Sequence, residues 1–537
     1  MPTYNHTGTD NKLVGEIPIS LRSSKILKQS IPTDRALNSL ELEKLISWFK
    51  DKQRHLLDIK KYYDLHHEIE GREFYTSVYD EETDEFRKIV DLDRPNNKLI
   101  NDFPGYIVST ASGYFMGTPI SYAAKADAPD NILDTLQNVF DYNDEAAHNL
   151  SLAVDQSLYG TAFELMWVED KATNGPMQGK KMVRFTRLSP LEAFIVFDPE
   201  DIDEHPLAAF RFITVYDMFN DITNYIVEEY TEMTTYIYKG SDTAQLELID
   251  TKPHNFKQIP MTEYPNNAER EGDFERVRTL IDAYDFTTSD GVNEAQDFAD
   301  SFLLIKNMMG TTKRDIQRAK ETKVLLTDED GDAKFINKGS SSLASGNSMN
   351  ETTLTKNIHK FSFIPSLEEM SLSGNASGAA MEFKLWGLEQ KTSTKERLFR
   401  KAVCRRIELI FEIYTTIKGE DYDFSSIEIN FQRNIPRDTA NIADQMVKLR
   451  NILPLETLIS LYPKVDDPKS ELSKLKQELD EEANRNAKAL YGDPFTANSG
   501  EGLDQKSVKE SITNSKSSPY KNKKGTSVRT NLGDNNE

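Results

Sequence analysis

The chain has 537 residues, 38% of them hydrophobic and 28% charged, and a formal net charge of −23 at pH 7. That length allows several packing units with sizeable cores. The charge argues against broad electrostatic affinity for nucleic acid or for an anionic membrane surface. A single cysteine, Cys404, excludes an internal disulfide and fits synthesis in a reducing compartment. No apolar run approaches the roughly 20 residues that span a bilayer, and Met1 to Ser20 lacks the basic-then-apolar order of a signal peptide.

In chain order, residues 1–35 are polar and broken by Gly8, Gly15, Pro18 and Pro32, which reads as a loose arm. Leu37 to Tyr63 has helical spacing, with Leu42, Leu45, Ile46 and Phe49 on one side. Leu99 to Tyr114 is apolar at helical intervals, with Pro104 expected to break or kink it. Asn131 to Gly160 reads as one further helix. Strands are expected at Thr161–Val168, Met182–Thr186, Phe194–Phe197, Ala209–Val215 and Met233–Tyr238, so the first 265 residues form a mixed body.

From Asp273 to about Met308 the pattern predicts a long helix. Asp282, Asp285, Asp290, Glu294, Asp297 and Asp300 fall on one half of its wheel and Ile281, Tyr284, Val292 and Phe298 on the other. The plain expectation is a solvated acidic face opposite a buried apolar one. Gly310 to Asn337 is polar, with a basic patch at Lys313, Arg314, Arg318 and Lys320 and a hairpin expected between Lys323–Leu326 and Ala333–Ile336. Gly339 to Asn350 reads as loop, and Thr353 to Phe363 as a short helix with Leu354, Ile358 and Phe361 inward and Lys356 and Lys360 sharing another face.

The most distinctive stretch follows. Pro365 and a small polar run to Gly378 lead into about forty residues, Ala379 to Lys418, without proline. At a rise of about 1.5 Å each they make a rod roughly 60 Å long. Gly419 suits a left-handed C-terminal cap, and Gly387 is the one internal position where a bend is expected. Ile427 to Phe431 alternates as a strand. Three small helices follow at Asp438–Leu449, Leu455–Leu461 and Ser470–Lys488, and the Ser/Asn/Gly/Lys-rich tail from about Tyr491 is expected to be disordered.

The chain shows little catalytic chemistry. Gly175 to Lys181 is too short for a phosphate-binding loop and lacks the following Ser or Thr. The adjacent His66 and His67 point to different sides of a helix. The acidic clusters Asp198–Glu204 and Asp328–Asp332 read as exposed turns rather than metal sites; the second only partly resembles a calcium loop, with Gly339 where glutamate is needed. No cofactor or metal is expected.

Ordered blocks along the chain nevertheless add up. They are Tyr62-Tyr63, Arg94-Pro-Asn-Asn-Lys98, Tyr159-Gly160, Phe256–Pro260, Pro265-Asn-Asn267, Gly272–Glu275, Leu280–Asp290, Gly374–Gly378, Lys395-Glu-Arg397 and Phe431–Pro436. In this order they resemble the portal proteins of tailed bacteriophages, the family typified by the portal of the Bacillus phage SPP1. The resemblance runs from about residue 50 to residue 480. It implies a predominantly helical α+β fold that assembles as a ring of about twelve copies around a central channel. Double-stranded DNA would pass through that channel into the capsid and later out of it.

By the same resemblance residues 36–270 would be the wing, 271–308 a first stem helix, 309–350 the clip and 351–363 a second stem helix. Residues 364–378 would be the tunnel loop, 379–419 the wing-to-crown helix, 420–435 a returning wing strand and 436–490 the crown, with 491–537 a tail. The loop residues Ser366, Glu368, Glu369, Met370, Ser371, Ser373 and Asn375 would lie nearest DNA. Lys356, Lys360, Asp290, Glu294 and Asp297 would face the channel. Lys313, Arg314, Arg318 and Lys320 would dock the terminase large subunit and then a head-completion or adaptor protein, with major capsid and scaffolding proteins as further partners. The expected place is the portal vertex of the virion, after assembly in the bacterial cytoplasm, with no membrane and no catalysis of its own. A mostly acidic lining with few lysines would let the duplex slide rather than stall, because phosphate binding strengthens with each added cation. The alternatives are a metal-dependent DNA-processing enzyme and a structural adaptor that encloses no DNA.

Overall fold

The computed structural model describes residues 35–491. It leaves out 81–84, 171–180, 199–204, 307–331 (save Thr312 and Arg314), 337–339, 367–377, 435–438 and a few single or paired positions. The expectations for the N-terminal arm, the tail, the Lys323–Leu326 strand, most of the two acidic clusters, and Lys313, Arg318 and Lys320 therefore lie outside the described residues. So do those for Glu368, Glu369, Met370, Ser371, Ser373 and Asn375. Two compact units divide at Pro436.

In the first unit, α1 (Ser39–Tyr63) opens on a capping box: the Asn38 side chain accepts from the Glu41 amide while Glu41 accepts from the Asn38 amide. The hairpin β1 (Tyr75–Asp80) and β2 (Glu85–Val90) follows. Next is α2 (Phe103–Met116). Pro104 lies in its first turn, where a missing N–H costs nothing, so it starts the helix rather than breaking it, and residues 99–102 precede it. After β3 (Ser121–Ala124), the expected single helix is two, α3 (Ile132–Asn143) and α4 (Glu145–Tyr159), separated by Asp144 in the left-handed region at φ 49°.

Strands β4 (Thr161–Glu169), β5 (Met182–Leu188), β6 (Ala193–Phe197), β7 (Pro206–Tyr216), β8 (Ile222–Tyr230), β9 (Thr234–Gly240), β10 (Glu247–Pro253) and β11 (Met261–Pro265) build the β part of the body. They form a five-stranded antiparallel sheet in the order β10-β9-β8-β7-β6 and a three-stranded one in the order β11-β4-β5. Helix α1 covers the first sheet, packing Leu42, Leu45, Ile46 and Phe49 on Phe194, Phe210, Phe212 and Val227. Gly160 joins α4 to β4 at φ 80°, and the Arg270 carbonyl oxygen lies 2.1 Å from where a Cβ would stand. No other residue fits that junction, which accounts for the Tyr159-Gly160 block.

Helix α5 is Arg278–Ala299, shorter than the expected 271–308. Residues 275–277 form a 3₁₀ turn, and Phe302–Lys306 is a strand, β12. It pairs antiparallel with β13 (Asp332–Ile336), so the expected 333–336 strand has Phe302–Lys306 as a partner. Helix α6 is Ser340–Ser362 and absorbs the stretch read as a loop. That run is small and polar, but no proline interrupts it, and helix propagates from the 351–362 turns at one hydrogen bond per residue.

Helix α7 (Gly378–Lys418) is the expected 41-residue rod, closed by Gly419 at φ 72°. It buries Phe399, Val403, Ile407, Ile410, Phe411 and Tyr414 in one core with residues of α2, α3, α4, β4, β5 and β11. Phe399 meets the rings of Phe115 on α2 and Tyr264 on β11. Strand β14 (Ile427–Asn430) then pairs with β3. The second unit holds the three expected helices, α8 (Thr439–Leu449), α9 (Leu455–Ser460) and α10 (Pro468–Tyr491). No closed barrel occurs among the described sheets, and no described helix is long and apolar enough to cross a membrane.

Candidate functional site

The apolar ends of five elements meet at one corner of the first unit. Leu56 and Ile59 of α1, Ile107 and Val108 of α2, Ile281 of α5, Ile358 of α6, and Leu385 and Leu388 of α7 form one cluster. The chain leaves α6 here through Phe363, a non-glycine residue at φ 63°. Ile364 is buried, Tyr106 donates to the Pro365 carbonyl at 2.8 Å, and His359 Nδ1 lies 3.0 Å from the Ile364 carbonyl. Residues 364 and 365 are thus held by α2 and α6.

A cleft of about 590 Å³ opens at this corner, lined by Tyr284, Glu351, Lys356, His359, Lys360, Ser366 and Lys384 among others. Lys356 and Lys360 are exposed, and the expected residues Lys356, Lys360 and Ser366 do come together here. Lys384, one turn and a half into α7, joins them and was not foreseen. Phe361, expected inward, is 51% exposed and has Lys360 Nζ 5.6 Å from its ring centre. Phe363, Phe383 and Trp386 are exposed as well. Gly387, expected as a bend, lies within the continuous helix, where its missing side chain leaves room for the Phe363 ring. Arg314 of the expected basic patch is exposed.

The acidic face of α5 departs most from expectation. Asp285, Ser289 and Asn293 are buried and Val292 is exposed, so the polar side of this part of the helix faces inward. What it meets is the extended segment 96–101. The amides of Asn97, Leu99 and Asn101 donate in turn to Asn293 Oδ1 at 2.8 Å, Ser289 Oγ at 2.9 Å and Asp285 Oδ1 at 3.0 Å. Four helical residues rise about 6 Å and two extended residues about 6.6 Å, so side chains four apart can serve amides two apart. Asp282 accepts from Tyr62 at 2.9 Å, and Asp290, proposed to face a channel, is paired with Arg72 at 2.7 Å. Arg72 also donates to Asn96. Glu294 is exposed, and Asp297 lies on α5 without a described side chain.

Two buried charge networks fasten α7, and neither was anticipated. Arg406 is fully buried and pairs with Glu164 at 2.7 Å and Glu145 at 3.3 Å, while His148 Nε2 lies 2.6 Å from Glu164. Burial works against the Glu164 carboxylate, but Arg406 and His148 outweigh it and hold its pKa down to about 2. Nearer the corner, Asp273 accepts from Lys395 at 2.8 Å, Ser157 at 2.5 Å and Asn266 at 2.9 Å and pairs with Lys391 at 3.0 Å. Burial opposes this carboxylate too, yet Lys395 and Lys391 keep it well below the ordinary range. Arg433 clamps Glu389 with two bonds, at 2.9 and 3.0 Å, and Tyr114 donates to the same carboxylate. Several blocks singled out in the sequence are therefore joints between elements. A sequence signal for Arg406 existed: it falls in step with Phe399, Val403 and Ile410 on the apolar side of α7. Among the described residues no group of three or more His, Cys, Asp or Glu could hold a metal ion.

Comparison with known proteins places this architecture. A family model described as phage portal protein, SPP1 Gp6-like, matches residues 42–485. The chain is similar to the portal protein of Clostridium phage phiCD119, 23% identical over 448 residues that cover 80% of this chain and 94% of that protein. It is also similar to the portal protein of Bacillus phage SPP1, 21% identical over 417 residues covering 74% of this chain and 79% of the relative. The family match runs from the first turn of α1 into α10, through both units and all the joints described above, and the chain belongs to the phage portal proteins of the SPP1 Gp6-like family.

Proposed function

We propose that copies of this portal protein close into a ring of about twelve around a channel, at one vertex of the capsid, through which double-stranded DNA is packaged and later ejected. The family match over residues 42–485 carries this reading. In it, the body to about residue 270 is the wing, α5 and the later turns of α6 are the stem, and the segment between them is the clip. That clip receives the terminase large subunit during packaging and a head-completion or adaptor protein afterwards, through Lys313, Arg314, Arg318 and Lys320. Major capsid and scaffolding proteins contact the outer body. Residues 364–378 form the loop nearest DNA, and α8–α10 the crown.

The corner cleft supports the DNA-facing assignment in one respect. Lys356, Lys360 and Lys384 gather there on a chain of net charge −23, beside the root of the segment that carries Glu368 and Glu369. A few cations among many acids bind phosphate weakly enough for a duplex to slide. No catalysis is assigned to this chain, and the work of translocation falls to a separate ATPase.

Native mass spectrometry of the purified protein tests the ring. A closed species of about twelve or thirteen copies is expected, and a stable two-fold dimer would overturn the reading, since an isologous contact uses up the surface a ring needs. In packaging assays Glu368→Lys or Glu369→Lys should slow DNA entry while rings still form. An unchanged rate would remove these residues from the DNA path.

A further inference from the structure

His67 is the second residue of the histidine pair and its side chain is wholly enclosed. Its Nδ1 lies 2.5 Å from Asp285 Oδ2 and its Nε2 3.0 Å from the Tyr62 carbonyl oxygen, with the ring stacked on Tyr62 at 4.9 Å. A carboxylate and a carbonyl only accept, so both ring nitrogens must donate, which requires the imidazolium. The other oxygen of Asp285 accepts from the Asn101 amide at 3.0 Å and from its side chain at 2.7 Å. One carboxylate therefore joins a buried cation, helix α5 and the last rung of the extended segment.

We propose that His67, Asp285 and Asn101 form a proton-operated clasp: the imidazolium locks the 96–101 segment onto α5, and loss of its proton loosens that segment. Deprotonation would turn one ring nitrogen into an acceptor facing an acceptor and leave the Asp285 carboxylate buried without its cation, a costly state. The remaining rungs, at Ser289 and Asn293, are neutral and cannot replace it.

The charges around this centre favour the proton. From α5 come Asp285 and Asp282, from the turn after His67 comes Glu68, and from α5 also Arg278, whose guanidinium lies 5.0 Å from the Tyr62 ring. From α1 the Tyr62 carbonyl accepts, and the 96–101 segment contributes the amides of Asn101. Burial alone would lower the His67 pKa, but the hydrogen bond and charge of Asp285 raise it above its ordinary value. The clasp is thus complete below about pH 6.5, the unfolded value, and is lost as pH rises through the folded value.

Mass spectrometry of the full-length protein tests this with two readouts in one titration, from about pH 6 to about pH 9. Exchange at the imidazole C2 hydrogen reports when His67 titrates. Amide exchange, corrected for its intrinsic pH dependence, reports how firmly residues 97–101 are held, with strands β8 and β9 as reference. The expected result is a His67 transition above about 6.5, accompanied by a loss of protection at 97–101 of about tenfold for each unit of that difference. His67→Gln, which donates without titrating, should abolish the pH dependence and leave β8 and β9 unchanged. A transition at or below about 6.5, or flat protection at 97–101 through the His67 transition, would overturn the proposal. Where the variant fails to fold, the two wild-type readouts decide alone.

Discussion

Helices α7 and α5 are both fastened to the same body through buried polar groups, but by different chemistry. Helix α7 is held by full charges in closed networks, Arg406 with Glu164 and Glu145, and Lys395 with Asp273. Helix α5 has one wholly buried ion pair, His67 with Asp285, and beyond it a row of side-chain acceptors that receive backbone amides from a segment nearly 190 residues away in sequence. Charge networks are strong and tolerate small shifts, because Coulomb attraction falls slowly with distance. The acceptor row is weaker per contact and directional, and it fixes where along its axis the helix sits. One helix is held hard, and the other is held in register.

Substitutions separate the two fastenings. Arg406→Met leaves two carboxylates buried without their cation and should cost about 5 kcal/mol, read from urea unfolding. Asp273→Asn keeps an acceptor for Asn266 but strands Lys395, and should cost about 3 kcal/mol by the same measurement. Because Glu164 is held at about 2, its contribution is present above about pH 4.5 and is lost as pH falls toward about 2. Acid unfolding should follow that window in the wild type, and Arg406→Met should lose the share of the slope that Glu164 supplies while that of Asp273 remains. Ser289→Ala removes one rung of the row and should cost only about 1 kcal/mol, with faster amide exchange at Leu99 but not in β8. A larger loss from Ser289→Ala than from Asp273→Asn would reverse the ranking of the two fastenings.

The same contrast explains which features could be read in advance. The bounds of α7 followed from a forty-residue run without proline and a glycine able to adopt φ 72° at its end. The buried side of α5 could not be read, because an acidic row bonded to a distant backbone has the same periodicity as one facing water. Lys356 and Lys360 were legible as sharing a helix face, whereas Ser366 and Lys384 join them only through the turn at Phe363 and the return of α7 to the corner. Strand β13 was legible, but its partner β12 was read as the end of a helix, since a short apolar run such as Phe302–Lys306 fits either period.

By itself the sequence determined the family, the long rod, the existence of most helices and the absence of a long apolar run, since each depends on local composition or on order along the chain. Only the tertiary structure decided which charges are buried, which face of α5 turns inward and where His67 finds its two acceptors. Those outcomes depend on contacts between residues far apart in the chain, and hydrophobic periodicity carries no information about the partner of a polar group.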